Sequence, residues 1–355
     1  MVNILVLTTY RGFLTTSLLC PDNSINTVSV DDVKNKLESL GYTVACKHFE
    51  DITDPTQYQN HYVVYASSED IGLFYKDFIE DTILLLHLAG AIIVPKFEFF
   101  RAHHNKSLME GMRGLFENDC FKTIVSRSYA SKESFFGAKD RKQEVFPVVV
   151  KPSAGSGSVG VRLAHDEKSF LKAIKKSSRI KYWEYDIRRG YWPVERLRNL
   201  YRKLGGRPKL HYAPRARKFV VQNFIPNLLF DYKVLIFDKK YYVLKRENRV
   251  NDFRASGSGK FTFPDKHEEV SGVLDFAKLF TKEIDSPFSS LDIGFDMTDY
   301  HLLEFQLVNF GPYTLQYSKW YFEHDGFKWV KIMGESNLET EYVRAIDAYI
   351  RRTPK

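Results

Sequence analysis

The chain has 355 residues, of which 44% are hydrophobic and 27% charged, so it has enough apolar surface for a packed core. This length is typical of two or three structural units. No apolar stretch is long enough for a signal peptide or a membrane span, and three widely spaced cysteines fit neither a disulfide framework nor a zinc site. These features exclude the membrane and disulfide-rich secreted classes, and we expect a folded cytoplasmic protein.

The net charge of +8 is concentrated in one segment. Residues 172–218 contain 16 Lys or Arg and three acidic residues, a local net charge of +13 that leaves −5 for the remainder. Basicity is therefore a property of this basic segment and not of the whole chain. A nucleic-acid-binding function is disfavoured, because no recognised binding module accompanies the charge.

The N-terminal part of the chain alternates strands with helices. A buried strand is predicted over Asn3–Thr8, followed by an amphipathic helix at residues 29–40 that ends at Gly41. The next predicted elements are strands at 42–46, 61–65 and 91–94 and a long helix with the apolar residues Phe74, Phe78, Leu85 and Leu86. This alternation predicts a parallel, doubly wound α/β unit.

The remainder of the chain has a different pattern. A helix is predicted from residue 108, and a strand at 146–151 leads through a glycine-serine loop to a strand at 159–163 and a helix at 168–176. After the basic segment, short strands are predicted at 218–222, 232–237 and 241–246, the last two joined as a hairpin. This pattern predicts an α+β unit with antiparallel strands.

The glycine-serine loop at residues 151–160 has the G-x-G-x-x-G spacing of a dinucleotide-binding turn. It leads into a strand, however, where that fingerprint requires a helix. Such a loop can close over a nucleotide and present backbone N–H groups to phosphate oxygens, with Lys151 as a cation beside them. An exposed glycine turn explains the same residues, and the sequence alone allows both interpretations.

A second group of charged residues lies on or beside neighbouring short strands. Its members are Asp231, Lys233, Lys245 and Arg254. If these side chains converge, their cations could neutralise phosphate charge as it shifts during transfer. The alternative interpretation is the solvated polar face of a sheet.

Two carboxylates near the C-terminus lie in otherwise apolar strands. These are Asp296 and Glu304, and a buried carboxylate needs a partner because an unpaired buried charge is costly. Magnesium, which binds oxygen ligands, is one such partner. A structural salt bridge is the alternative.

Taken in this order, the three groups resemble the ATP-grasp superfamily, most closely its RimK-type and glutathione synthetase-like ligases of peptide or surface-polysaccharide pathways. The resemblance implies an ATP-grasp fold, α/β plus α+β, in which residues 1–105 form a doubly wound pre-ATP-grasp α/β domain. Residues 106–221 would form the small subdomain with the glycine-rich loop and the basic segment. Residues 222–355 would form the C-terminal subdomain with the metal and phosphate residues.

The resemblance also implies roles for individual residues. The implied ATP-binding residues are Lys106, Lys151, Gly155, Ser156, Gly157, Ser158, Gly160, Gln222, Asn223, Phe224, Ile225, Asp231 and Lys233. The implied catalytic residues are Lys245, Arg246 and Arg254, and the implied magnesium ligands are Asp296, Glu304, Gln306 and Asn309.

Two positions depart from the family pattern. Gln306 replaces the asparagine of the usual Glu-x-Asn motif, so its amide oxygen is displaced by one methylene, and Asn309 could substitute for it. Lys233 replaces an arginine and lacks the bidentate fork of a guanidinium.

The activity implied by the resemblance is ATP- and Mg²⁺-dependent ligation of a carboxylate to an amine through an acylphosphate. Lys151 and Lys245 would offset phosphate charge, and Arg254 would stabilise the acylphosphate and the tetrahedral intermediate. The alternative is a catalytically degenerate ATP-grasp protein that binds nucleotide and an anionic polymer without ligation. The basic segment is expected to be either an acceptor site for an acidic glycan or peptide or a solvated helical lid.

Overall fold

The structure is a computed structural model. It describes residues 2–14, 18–19, 25–26, 28–68, 70, 72–139, 144–155, 160–179, 197, 200–201, 204, 216–249, 252–255 and 258–353. Among the helices in these ranges, none is both long and apolar enough to cross a membrane.

The N-terminal unit is a four-stranded parallel sheet with helices. Its strands are β1 (Asn3–Thr8), β4 (Thr43–His48), β5 (Tyr62–Tyr65) and β6 (Ile92–Val94), in the order β4-β1-β5-β6, and a two-residue ribbon pairs β2 (Leu18–Leu19) with β3 (Ile25–Asn26). Its helices are α1 (Val30–Ser39), α2 (Phe74–Leu88) and α3 (Phe97–Ala102). Ser29 caps α1 by accepting a hydrogen bond from the Asp32 backbone N–H, which satisfies one free donor of the first turn.

Helix α2 buries a different face from the one suggested by its largest apolar residues. Phe74, Phe78 and Leu85 are 45%, 42% and 53% exposed, whereas the buried residues are Ile79, Ile83 and Leu86. Apolar residues surround much of this helix, so periodicity alone does not identify the face that packs on the sheet.

The middle unit is a four-stranded antiparallel sheet covered on one face. Its elements in chain order are α4 (Lys106–Arg113), β7 (Ser126–Tyr129), α5 (Lys132–Gly137), β8 (Val148–Pro152), β9 (Arg162–Ala164), α6 (Glu167–Ser177) and β10 (Phe219–Asn223), and the strand order is β7-β10-β8-β9. Val148 and Val150 face a core with Phe170 and Ile174 of α6. Because side chains alternate along a strand, Val149 and Lys151 face the opposite side.

The C-terminal unit is a seven-stranded antiparallel sheet. Its elements are β11 (Phe230–Phe237), β12 (Lys240–Glu247), β13 (Phe261–Thr262), α7 (His267–Glu283), β14 (Phe288–Phe295), β15 (Tyr300–Gln306), α8 (Tyr313–Tyr317), β16 (Trp320–His324), β17 (Trp329–Met333) and α9 (Leu338–Arg352). The order is β15-β14-β11-β12-β16-β17, with β13 paired to β12. One face packs on α7 together with residues of the middle unit such as Met109, and the other face packs on α9 and on strands of the N-terminal unit.

A parallel sheet followed by two antiparallel sheets confirms the predicted fold class, α/β plus α+β. The division at residues 105 and 106 coincides with the start of α4. The division at 221 and 222 falls inside β10, which continues to Asn223 because it pairs with β8 along its whole length.

Candidate active site

A cavity of about 480 Å³ lies between the middle sheet and the C-terminal sheet. Its charged lining residues are Lys106, Lys151, Lys233, Arg246, Arg254, Asp231, Asp292 and Glu304, a net charge of +2. Its apolar lining includes Val149, Val161, Phe224, Ile225 and Leu303. The combination of an apolar wall and excess positive charge suits a ligand with a flat apolar part and an anionic part.

Two lysines enter the cavity from the middle unit. Lys151 lies on β8, and burial lowers the pKa of its ammonium group although the nearby carboxylate of Glu110 opposes this effect. Lys106 is the first residue of α4, and its Nζ donates to the Gly155 carbonyl at 2.6 Å and lies 3.9 Å from Glu304 Oε1. Two partly desolvated ammonium groups with few carboxylate partners form a site for an anion such as phosphate.

The glycine-rich loop is described only at its two ends. Gly155 is held by Lys106, and Gly160 has a φ of +83°, where a Cβ would lie 3.0 Å from Pro152 Cγ. A side chain at 160 would therefore be strained and crowded. The implied phosphate-covering residues Ser156, Gly157 and Ser158 lie outside the described residues.

The segment Gln222, Asn223, Phe224 and Ile225 forms one wall of the cavity where β10 ends. The Asn223 side chain accepts from the Val125 backbone N–H at 2.8 Å, which fixes the segment to the start of β7. Gln222 is 6% exposed, and its Oε1 has no hydrogen-bond partner within the described residues. A buried amide oxygen of this kind is an acceptor available to a ligand.

A network of four charged side chains covers the cavity face of the C-terminal sheet. Arg246 Nε donates to Asp231 Oδ1 at 2.6 Å, and Arg246 Nη2 forms an ion pair with Asp292 Oδ2 at 2.9 Å. Lys233 Nζ lies 3.6 Å from Asp292 Oδ1 and donates to Ser290 Oγ at 2.8 Å. Strand register produces this arrangement, since Asp231 pairs with Arg246 and Lys233 pairs with Asp292.

The network shifts the pKa values of its carboxyls in opposite directions. Burial raises the pKa of Asp231 to about 6, against the attraction of Arg246. Burial also works against charge on Asp292, but Arg246 and Lys233 outweigh it and lower the pKa of this carboxyl. Asp292 is therefore an ionised carboxylate at neutral pH.

Asp292 and Glu304 pair directly across β14 and β15 and both line the cavity. Asp292 Oδ1 is buried without a hydrogen-bond partner in the described part of the chain, and Gln306 Nε2 donates to Glu304 Oε1 at 3.2 Å. Within the described residues, no group of three or more His, Cys, Asp or Glu is placed to hold a metal by itself. Among the described residues of β14 and β15, the side chains with oxygen atoms that line the cavity are Asp292, Glu304 and Gln306.

Asp296 does not face the cavity. Its Oδ1 accepts from the backbone N–H groups of Asp299 and Thr298 at 2.8 and 2.9 Å, and its Oδ2 lies 3.0 Å from His301 Nε2. The backbone N–H of Asp299 and the ring of His301 lower the pKa of Asp296 to about 2. Asp296 thus closes the turn between β14 and β15, and the sequence-based assignment of a metal ligand to this residue does not agree with its position.

Lys245 and Asn309 also lie away from the cavity. Lys245 projects from the opposite face of β12 to Arg246, and its Nζ contacts Glu269 of α7 at 2.7 Å and lies over the Phe230 ring. Asn309 lies beside Tyr65, at a small apolar space. The alternation of side chains along β12 means that Lys245 and Arg246 cannot both serve the same site.

Arg254 reaches the cavity from the loop after β12. Its Nε donates to both oxygens of Asp252, at 2.9 and 3.0 Å, and this hydrogen-bonded carboxylate raises the pKa of the guanidinium. Asp252 therefore orients a permanent cation towards the cavity.

No protein-family model and no curated protein sequence matches the chain. Among solved structures, D-cycloserine synthetase DcsG is 14% identical with a TM-score of 0.47, covering 98% of this chain and 99% of that chain. D-alanyl-alanine synthetase A from Vibrio cholerae is 12% identical with a TM-score of 0.48, covering 99% of both chains. The ATP-grasp ligase PsnB, solved with a minimal precursor, is 13% identical with a TM-score of 0.46, covering 98% of this chain and 100% of that chain.

One of these three solved structures, PsnB, is described as an ATP-grasp ligase. At 12–14% identity, with TM-scores under 0.5, the likeness concerns the fold, so the substrates named for those proteins are not transferred to this chain. The function of the site is therefore argued from its own residues.

The cavity contains one carboxylate that is absent from the ATP-grasp ligand set implied by the sequence. Asp292 lies four residues before Asp296, and both are flanked by apolar residues. The difference lies further along the chain, because Asp292 is inside β14 whereas Asp296 is followed, after Met297, by the polar turn residues Thr298 and Asp299. That turn signal is visible in the sequence and would have separated the two.

Proposed function

We propose that this protein is an ATP- and Mg²⁺-dependent carboxylate-amine ligase whose nucleotide binds in the cavity between the two antiparallel sheets. The observation that carries the proposal is the position of two lysines opposite two carboxylates in that cavity. Lys106 and Lys151 enter from the middle unit, opposite Asp292 and Glu304 on the C-terminal sheet. A polyphosphate held by the lysines would thus meet the carboxylates that could hold its metal.

The proposed position of the adenine is against the apolar wall. Val149, Val161 and Ile225 line this part of the cavity, and Gln222 Oε1 is a buried acceptor without a partner among the described residues. A flat base fits between apolar side chains, and its exocyclic amine can donate to that amide oxygen. This accounts for a buried polar atom that would otherwise be costly.

The proposed magnesium ligands are Asp292, Glu304 and the amide oxygen of Gln306. Magnesium usually binds one or two carboxylates together with substrate phosphates and water, so a three-residue protein ligand set is sufficient. Asp292 Oδ1 is buried, lies 3.6 Å from Lys233 Nζ and accepts no hydrogen bond within hydrogen-bonding distance in the described part of the chain, so it fits this role. When bound, the metal would supply charge neutralisation to the phosphates.

In the proposed reaction, a carboxylate oxygen of the substrate bonds to the γ-phosphorus of ATP, and ADP leaves. An amine then bonds to the acyl carbon of the acylphosphate, and phosphate leaves while the amine loses a proton. Lys106 and Lys151 bind the phosphates, and Arg254, oriented by Asp252, offsets charge at the reacting group. Arg246 holds Asp231 and Asp292 in place and replaces Lys245 in the proposed site.

We also propose that the chain is organised in three parts, residues 1–105, 106–221 and 222–355. A separate proposal is that the basic segment binds an anionic acceptor substrate. Arg179 bridges to Ala216, and the Arg217 backbone N–H donates to the Ser178 carbonyl at 2.9 Å, so the segment leaves and returns at one point of the middle unit. The aromatic and arginine residues proposed to bind an acidic glycan or peptide, which include Arg188, Arg189 and Arg196, lie outside the described residues.

The proposal is tested by measuring ADP release with a panel of carboxylates and amines, with hydroxylamine as a second acceptor. Hydroxylamine attacks an acylphosphate directly, so a hydroxamate forms even when the natural amine is missing. We expect ADP release that requires a carboxylate, and hydroxamate formation with the same carboxylate.

One observation favours a second candidate function, nucleotide binding without ligation. Gln306 directs its amide N–H to Glu304, and both Arg246 and Lys233 already neutralise Asp292. Tight ATP binding without ADP release or hydroxamate for any carboxylate would support this candidate against the ligase.

A further inference from the structure

Strands β14 and β15 change register at the proposed metal ligands. Asp292 pairs with Glu304, but the next residue, Ile293, pairs with Leu302, so Leu303 is an extra residue in β15. Leu302 and Phe305 on either side of the bulge both belong to the core against α7. The bulge therefore lets two successive residues, Leu303 and Glu304, line the cavity.

The extra residue, Leu303, has no paired residue in β14, and its carbonyl accepts a hydrogen bond from a buried arginine. Arg113 Nη2 donates to the Leu303 carbonyl at 3.1 Å. Arg113 Nη1 donates to Glu110 Oε2 at 2.7 Å, and these two side chains are almost completely buried, with residue exposures of 1% and 6%. A buried guanidinium with a carboxylate partner is a rigid donor, because its charge cannot move to water without breaking the pair.

The helix that carries Arg113 also places a second cation close to Glu304. Arg113 is the last residue of α4 and Lys106 is its first, and Lys106 Nζ lies 3.9 Å from Glu304 Oε1. One short helix thus contacts Glu304 directly through a cation and indirectly through the backbone of the preceding residue.

We propose that Arg113 is a positioning residue for the metal site: by binding the Leu303 carbonyl it fixes the bulge that turns Glu304 towards Asp292. This inference rests on the proposed function, because it assigns the Asp292–Glu304 pair to a metal. Residues that hold metal ligands in place typically change metal affinity 10- to 100-fold when they are altered.

The test uses Arg113→Lys, which keeps the positive charge beside Glu110 but cannot donate to both partners with one planar fork. Mn²⁺ binding is measured by electron paramagnetic resonance on the full chain saturated with a non-hydrolysable ATP analogue. We expect the Mn²⁺ Kd to rise about 10- to 100-fold, while the affinity for the analogue without metal stays within about twofold.

The chain offers a control with the same kind of contacts in Arg344→Lys. Arg344 on α9 pairs with Glu341 three residues before it and donates to the Phe237 carbonyl of a strand, but it is more exposed than Arg113 and is not among the residues that line the cavity. We expect no change in Mn²⁺ affinity for this variant. Equal losses for the two variants would mean general loosening of the fold and would overturn the proposal.

A second variant removes both buried charges at once. It is used for the same measurement if Arg113→Lys does not fold. Arg113→Met with Glu110→Leu removes both charges of the buried pair together, and replacing a buried ion pair by apolar groups is often neutral for stability. Because Glu110 also lies near Lys151, Mn²⁺ binding is compared only at saturating analogue. This double variant should show the same loss of Mn²⁺ affinity. An Mn²⁺ Kd within about twofold of the parent value, in either folded variant, would overturn the positioning role.

Glu304→Gln separates failure of this inference from failure of the proposed function. If Glu304→Gln weakens Mn²⁺ binding and the Arg113 variants do not, only the positioning role fails. If Glu304→Gln has no effect, the metal assignment fails and the positioning role fails with it.

Discussion

At the scale of single residues, two aspartates in one strand-turn segment have different environments, and we propose different functions for them. Asp292 is inside β14, faces the cavity and has one buried oxygen without a hydrogen-bond partner in the described part of the chain. Asp296 has both oxygens engaged by the turn that follows the strand. An aspartate flanked by apolar residues can be either a metal ligand or the cap of a turn. Only the residues that follow it in the sequence distinguish the two.

The two aspartates form a matched pair of isosteric substitutions. Asp292→Asn should weaken Mn²⁺ binding to the nucleotide-saturated protein by at least about 10-fold, because it removes a charged oxygen ligand. Asp296→Asn should leave Mn²⁺ affinity unchanged, since its carboxylate faces the turn. Isothermal titration of both proteins with Mn²⁺ decides between them, and the reverse pattern would restore Asp296 as the ligand.

At the scale of elements, the alternation of side chains along a strand determines which lysine can serve the nucleotide. Lys151 points from β8 into the cavity, whereas Lys245 points from β12 to Glu269 on α7. The sequence predicts β12 over residues 241–246 and assigns both Lys245 and Arg246 to the site. Adjacent residues of a strand face opposite sides, and the strand pattern alone does not tell which side faces the nucleotide.

Substitution of the two lysines tests which strand face contacts the nucleotide. Lys151→Ala should weaken ATP binding about 10- to 100-fold, since a charge-assisted contact to phosphate is worth roughly 1.5–3 kcal/mol. Lys245→Ala should leave ATP affinity unchanged, because its side chain is on the other face of the sheet. Calorimetric titration with ATP measures both, and equal effects would place the nucleotide elsewhere.

Local periodicity predicts many elements of the fold but misses α7, the longest helix in the described part of the chain. The strands β1, β5, β8, β11 and β12 and the helices α1 and α6 follow alternating or helical apolar patterns that the sequence shows directly. Helix α7 has the same kind of signal in Val270, Val273, Leu274 and Ala277, and could have been predicted. The bulge at Leu303 could not, because a register shift depends on which strand lies opposite.

At the scale of the whole molecule, the N-terminal unit and the C-terminal sheet share one core. Ile4 and Val6 of β1 pack in the same cluster as Leu235 and Phe237 of β11 and Ile346 of α9. Residues more than 200 positions apart thus form this contact, and no local pattern in the sequence reports it. The proposed division at residue 105 therefore marks a change of topology within a continuous hydrophobic core.

A second, larger cleft of about 760 Å³ gives the molecule another place where a ligand could be accommodated. It lies between α3 and the C-terminal sheet, and Lys278, Lys282 and Arg352 contribute to its lining. Arg352 donates to Asp238 Oδ1 at 2.7 Å, and Lys96 pairs with Asp285 at 3.2 Å, so much of its charge is compensated. The cavity between the two antiparallel sheets, whose lining has a net charge of +2, is better suited to the negative charge of ATP.

The measurement that tests the central claim most directly is a crystal structure with Mn²⁺ and a non-hydrolysable ATP analogue, using the anomalous signal of Mn²⁺ to locate the metal. The account predicts the base beside Gln222 and Ile225, the phosphates beside Lys106 and Lys151, and an anomalous peak between the phosphates and Asp292 with Glu304. Nucleotide in the cleft beside Lys278 and Arg352, or a metal bound at Asp296, would contradict it.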